Sequence, residues 1–177
     1  MLAGCGQGGG RRFDVVGAQG QIATDLASRT GQPAPVVRCP SRVTAKQGRT
    51  FICTTALDGQ SLTLRVTLTN AQGAFTSQPL EAVLLVAKAV KAIEDGIDRQ
   101  TGEQAQVDCG AHTVLIAHPG DTFGCTATAK GQSQAVTVTV RDLSGTLDYR
   151  TTTPGSPAPS APTSTSTPGP TASIPGD

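Results

Sequence analysis

Tryptophan is absent from these 177 residues, and one tyrosine and four phenylalanines supply every other large ring. A core must therefore be built from Val, Leu, Ile and Ala, which bury less area per residue than rings do. Charge is also sparse, at 15% of residues and a net +1. No field strong enough to steer a nucleic acid or an acidic polymer is expected, so a nucleic-acid partner is not expected either. No apolar run reaches the ~18 to 20 residues of a membrane span; the longest, Leu80 to Val90, carries Glu81 and Lys88. Neither Cys-x-x-Cys nor Gly-x-Ser-x-Gly occurs, and the only histidines are His112 and His118. Thioredoxin-like redox chemistry and a serine nucleophile elbow thus lack their motifs, and a nucleophile lacks a well-placed base. Gly4-x-Gly6-x-x-Gly9 spells a dinucleotide fingerprint, but with neither a strand before it nor a helix after it, it reads as a spacer and no cofactor is implied.

What the sequence does contain is an internal repeat. Gly48-Arg49-Thr50-Phe51-Ile52-Cys53-Thr54 returns as Gly120-Asp121-Thr122-Phe123-Gly124-Cys125-Thr126, and Gly59-Gln60-Ser61 returns as Gly131-Gln132-Ser133, all at an offset of 72. Upstream, Thr30-Gly31 corresponds to Thr101-Gly102 and Cys39 to Cys109, the offset drifting to 71 and 70 as short loop insertions would cause. Agreement this dense marks two tandem copies of one unit.

Each copy opens on a helical pattern. Ile22 and Leu26 share one face before the stop at Thr30-Gly31; in the second copy Pro79 is expected near the helix start, with Val83, Val86 or Ala87, Val90, Ile93 and Ile97 forming the stripe that ends at Gly102. A short strand then leads to the first cysteine, through Val36-Val37 and through Val107, and another is expected around Val43 and Val114 to Ile116. The hairpins are the clearest signal. Phe51 to Leu57 meets the turn pair Asp58-Gly59, after which Leu62, Leu64, Val66 and Leu68 alternate with polar residues; in copy two Lys130-Gly131 turns the chain before Val136, Val138 and Val140. The expected fold class is α+β: two tandem small modules, each an N-terminal helix packed on a short antiparallel sheet with one internal disulfide. The expected boundaries are a tether over 1–13, modules over 14–78 and 79–150 with separate cores joined near Ser77-Gln78-Pro79, and a disordered Pro/Ser/Thr-rich tail over 151–177.

Two resemblances follow from these motifs. Leu2-Ala3-Gly4-Cys5 resembles the lipobox of bacterial lipoprotein signal peptides, in which Cys5 is lipidated; the charged and apolar segments that should precede it are missing, as in a start assigned too late. Gly6 to Gly10 would then be a flexible tether. The helix, Cys39-Pro40, Gly48-x-x-Phe51-x-Cys53-Thr54 and the Val/Thr strand, together with their second copies, resemble tandem DUF4333 modules over roughly residues 15 to 148. Copy two departs at Gly110, where the family often has proline. The resemblance implies an extracytoplasmic location in high-GC Gram-positive bacteria and a disulfide, and implies no activity.

The cysteines allow disulfides, metal ligands or redox centres, and disulfides are expected. Two cysteines recur per copy at similar separations, each pair closing a loop of about 15 residues for which chain entropy gives ~3 kcal/mol. A module that was once a single copy had only its own two, so Cys39 should bond Cys53 and Cys109 should bond Cys125, leaving Cys5 unpaired. Cys109-x-x-His112 with His118 and Cys125 has the residue types of a zinc site, but the equivalents of the histidines in copy one are Arg42 and Lys46 while both cysteines remain. No metal is therefore expected, and the histidines read as exposed loop residues. Glu94, Asp95 and Asp98 read as the solvated face of the second helix. By elimination the chain is expected to be a non-enzymatic cell-envelope lipoprotein that binds or positions an envelope protein or wall component, touching the membrane through its lipid only. The alternative is an inhibitor or regulatory ectodomain acting on a secreted enzyme.

Overall fold

A computed structural model describes residues 11–152. Cys5 and its flanks, and residues 153–177, lie outside the described residues. Helix α1 spans Val15–Thr30, buries Val15, Ala18, Ile22 and Leu26, is capped by the Asp14 carboxylate on the Gly17 N–H, and ends on Gly31 at φ 69°. After a bridge between Arg38 and Thr54, strands β1 (Thr50–Leu57), β2 (Gln60–Leu68) and β3 (Phe75–Pro79) form an antiparallel sheet in the order β1-β2-β3.

The second half repeats this plan. Strand β4 (Ala82–Leu85) runs directly into helix α2 (Val86–Thr101), which ends on Gly102 at φ 71°. Strands β5 (Gln106–Asp108), β7 (Thr122–Ala129), β8 (Gln132–Val140) and β9 (Leu147–Thr152) form a sheet in the order β5-β7-β8-β9, and β6 (Val114–Ala117) pairs with β4. Both hairpin turns place their two central residues at positive φ, Asp58 and Gly59 in one and Lys130 and Gly131 in the other. That is the mirror-image turn that a two-residue hairpin needs to match strand twist.

The disulfides join Cys39 to Cys53 and Cys109 to Cys125, one within each module. Cys53 is fully buried, and Phe51 packs on the same core cluster; in the second module Cys125 is buried and Phe123 packs on its cluster. The α+β organisation and its tandem modules are as the repeat implied.

Five expectations are corrected. Phe13, assigned to the tether, is buried: its N–H donates to the Val43 carbonyl at 2.9 Å, and its ring meets Phe51 and Phe75 at centroid distances of 5.6 and 5.8 Å. Pro79 does not open a helix; it closes β3 opposite Leu64, and α2 starts seven residues later at Val86. The first module's sheet thus runs past the expected cut at 78, and β9 continues to Thr152, past the expected end at 150. Val83 belongs to β4, not to the helical stripe.

The fifth correction concerns the cores. Val114 is fully buried in a cluster with Ile22, Leu57, Leu62, Leu64 and Cys53 of the first module, and Val83, Leu85 and Ile116 pack against the same cluster. The opposite face of the β4–β6 ribbon, through Ala82, Leu84 and Ala117, enters a second-module cluster with Val140. Alternation along a strand sends successive side chains to opposite faces, so one ribbon serves two cores. The modules are not separate.

Candidate functional site

Sharing the ribbon brings the two modules together along one side and leaves a cleft between them. Its first wall is built by Asp25, Leu26, Arg29 and Thr30 of α1 with Leu64 of β2 and Ser77 and Pro79 of β3. Its second wall comes from Val83, Leu84 and Leu85 of β4 and Lys88, Ala89 and Ala92 of α2, with Leu143, Ser144, Gly145 and Leu147 as a lip. The cleft encloses about 640 Å³, within the range of small-molecule sites, which occur preferentially at domain interfaces.

The floor is apolar and the rim carries few charges. Arg29 donates to Asp25 at 2.9 Å, one helical turn away, so these two charges largely satisfy each other. Lys88 is exposed and has no ion-pair partner among the described residues. Leu143 is half exposed at the lip.

The lip is ordered by Asp142. Its Oδ1 accepts from the Ser144 hydroxyl at 2.6 Å, the Ser144 N–H at 2.9 Å and the Thr146 N–H at 3.1 Å. The Ser144 hydroxyl, followed by Thr146, holds the carboxyl down from its ordinary 3.8 to about 2. A depressed carboxyl contributes order that is fully present above its unfolded value and lost as pH falls through its folded one. The Ser144 and Thr146 amide resonances are therefore expected to hold constant above about pH 5 and to move together as the carboxyl titrates near pH 2. Movement centred near pH 4 in an NMR titration would show that the carboxylate does not hold the loop.

The junction between the modules also carries polar contacts. Asp58 Oδ2, on the first hairpin turn, accepts from the Thr113 N–H at 2.8 Å and the Val114 N–H at 3.3 Å, and these two backbone donors lower its pKa, aided by His112 at 3.4 Å. The Gln60 amide donates to the Val114 carbonyl at 2.8 Å and accepts from the Ile116 N–H at 3.1 Å. One side-chain amide thus completes the edge of β6 as a neighbouring strand would. Glu81 accepts from the Thr63 N–H at 2.9 Å, and Gln32 donates to the Thr113 hydroxyl at 2.6 Å.

The structure sorts the residues singled out in the sequence. The four bonded cysteines lie in the two cores, away from the cleft lining. With both second-module thiols in a disulfide, their sulfurs offer no thiolate to a metal, and among the described residues no group of three His, Cys, Asp or Glu side chains could hold one. His112 is a junction residue beside Asp58, while His118 lies 3.5 Å from Asp121. On α2, Asp95 pairs with Lys91 at 3.2 Å, and Glu94 accepts from the Val107 N–H at 3.0 Å, tying the helix to β5. Sequence reasoning missed the cleft residues and Asp58, Gln60 and Val114. Leu57 and Leu62 against Ala129 and Gln134, their counterparts at offset 72, were the available signal.

Compared with known proteins, the profile of the family described as Domain of unknown function (DUF4333) matches residues 1–73 and again residues 75–145. No curated protein and no solved structure matches the chain.

Proposed function

Because the chain belongs to the DUF4333 family and carries its domain twice, we propose that it is a non-enzymatic cell-envelope lipoprotein that binds another envelope component in the cleft between its modules. The observation that carries this reading is the cleft itself, an apolar floor of about 640 Å³ to which both modules contribute walls. Two further features support the location. A disulfide in each module suits an oxidising compartment outside the cytoplasm, and the lipobox-like Leu2-Ala3-Gly4-Cys5 would supply the anchor, with the glycines behind it as a tether.

A photo-crosslinking residue at Leu143, on the cleft lip, is expected to capture one discrete envelope component in living cells, while the same residue at Val16, exposed outside the cleft, captures none. Cys5→Ala is expected to move the protein from the membrane fraction to the soluble one without altering its fold. Equal capture from both positions would dismiss the cleft as the binding site, and a Cys5→Ala protein that stays with the membrane would dismiss the lipid anchor.

A further inference from the structure

The near-zero net charge hides an uneven distribution. Residues 11–79 carry eight Lys and Arg against three Asp and Glu, whereas residues 80–152 carry six against nine. Such asymmetry between halves is a mark of chains that meet a charged surface. Five cations of the first module, Arg11, Arg12, Arg42, Lys46 and Arg49, fall in two short segments that the backbone joins. Arg12 pairs with Thr44, the Ala45 N–H donates to the Arg11 carbonyl at 2.7 Å, and the Arg49 N–H donates to the Lys46 carbonyl at 3.0 Å. All five residues are exposed, and none has an ion-pair partner among the described residues.

The duplication supplies an internal comparison for this ribbon. Asp14 and Leu85 each immediately precede their helix, and the turn at Lys46 recurs where the Asp121 N–H donates to the His118 carbonyl at 3.0 Å. Arg12, Asp14, Arg42 and Thr44 therefore occupy the places of Val83, Leu85, Val114 and Ile116; the ribbon's register moves the counterpart of Arg42 from His112 to Val114. In the second copy those four residues pack on the first module's core. In the first copy burial alternates: Phe13 and Val43 enter a core cluster, while Arg12, Asp14, Arg42 and Thr44 are all exposed. The face that docks on protein in one copy is thus open in the other. It bears two arginines, and the one carboxylate among its residues, Asp14, is held by the Gly17 N–H at 2.9 Å.

We propose that this cationic face lies on the anionic phosphates of a lipid bilayer, holding the first module against the membrane and turning the more acidic second module outward. The proposal rests on the lipoprotein reading and adds how the anchored chain is oriented. Position favours a bilayer over another polyanion. Six residue steps separate Cys5 from Arg11, and these span at most about 20 Å even when fully extended. A lipid on Cys5 therefore keeps the cations of the first module beside the headgroups. Basic residues next to a lipid anchor supply a second membrane signal, because the negative surface potential of anionic lipid attracts them within a Debye length. The same potential repels the carboxylates that outnumber cations over residues 80–152.

The test uses the full, unlipidated chain and co-sedimentation with two kinds of vesicle, phosphatidylglycerol and phosphatidylcholine in equal parts, and phosphatidylcholine alone. Binding is expected only where phosphatidylglycerol is present, and is expected to be lost in about 1 M salt, where screening leaves a reach of about 3 Å. Arg12→Gln combined with Arg42→Gln is expected to weaken binding roughly 30-fold, the scale of two basic residues at an anionic surface. Arg99→Gln combined with Arg150→Gln removes the same charge from exposed positions of the second module and is expected to leave binding unchanged. Equal binding to phosphatidylcholine alone, equal loss in both double variants, or no binding to either vesicle overturns the proposal. So does binding to dextran sulfate with none to the vesicles, which would assign the face to a soluble polyanion. Membrane fractionation of Cys5→Ala after a wash at the same salt reports the lipid alone. Release of that protein without vesicle binding leaves the anchor and removes the face; vesicle binding with that protein still retained leaves the face and removes the anchor.

Discussion

Val114→Asp is expected to unfold the first module although the substituted residue lies in the second. Val114 has no solvent exposure and packs among Leu57, Leu62 and Leu64. A carboxylate there would be unpaired and cut off from water, a change in the class that costs about 4 kcal/mol or more. That is comparable with the whole stability of a small domain. Hydrogen exchange should show lost protection at Cys53, Leu62 and Leu64 as well as in β6. Loss confined to β4, β6 and the second sheet would mean that the cores are independent after all. The same shared core means that a fragment ending near residue 78 leaves Leu57 and Leu62 uncovered, so the first module alone is expected to be less stable than in the full chain.

Reduction is the second large effect. The disulfides span sequence separations of 14 and 16, for which restriction of the unfolded chain amounts to about 3 kcal/mol each. Both cores are small, so losing two such constraints approaches the net stability available. Denaturant titration of the Cys39→Ala/Cys53→Ala and Cys109→Ala/Cys125→Ala variants should each lower stability by about 3 kcal/mol. If removing either pair costs less than about 1 kcal/mol, the modules hold themselves together by packing alone, and the chain-entropy account fails.

The interface between the modules runs head to tail, and its receiving surface is not reproduced on the second module. Leu57, Leu62 and Leu64 receive the β4–β6 ribbon; their counterparts are Ala129, Gln134 and Val136. Asp58, which holds the Thr113 and Val114 amides, is replaced by Lys130, which pairs with Glu103. A heterologous contact repeated without such changes would continue from copy to copy.

What the sequence determined by itself is what short-range physics decides. The hairpins follow from alternation and from turn residues that accept positive φ at Asp58-Gly59 and Lys130-Gly131. The helix ends follow from Gly31 and Gly102. The disulfide partners follow from duplication, since each of the four repeat cysteines has its mate within its own copy. The tertiary structure decided where one module stops. From Leu80 to Val90 the chain is apolar enough to satisfy a helical period or a strand period, and only pairing with Val114 to Ala117 makes residues 82–85 a strand. Alternation in β6 shows that both its faces are apolar, but not that Val114 faces one module's core and Ala117 the other's. Nor does local sequence place Asp58 against Thr113, or open a cleft beside Ser77. Those contacts join residues of separate elements, 55 positions apart for Asp58 and Thr113, and no periodicity within a single element encodes which distant surface will cover it.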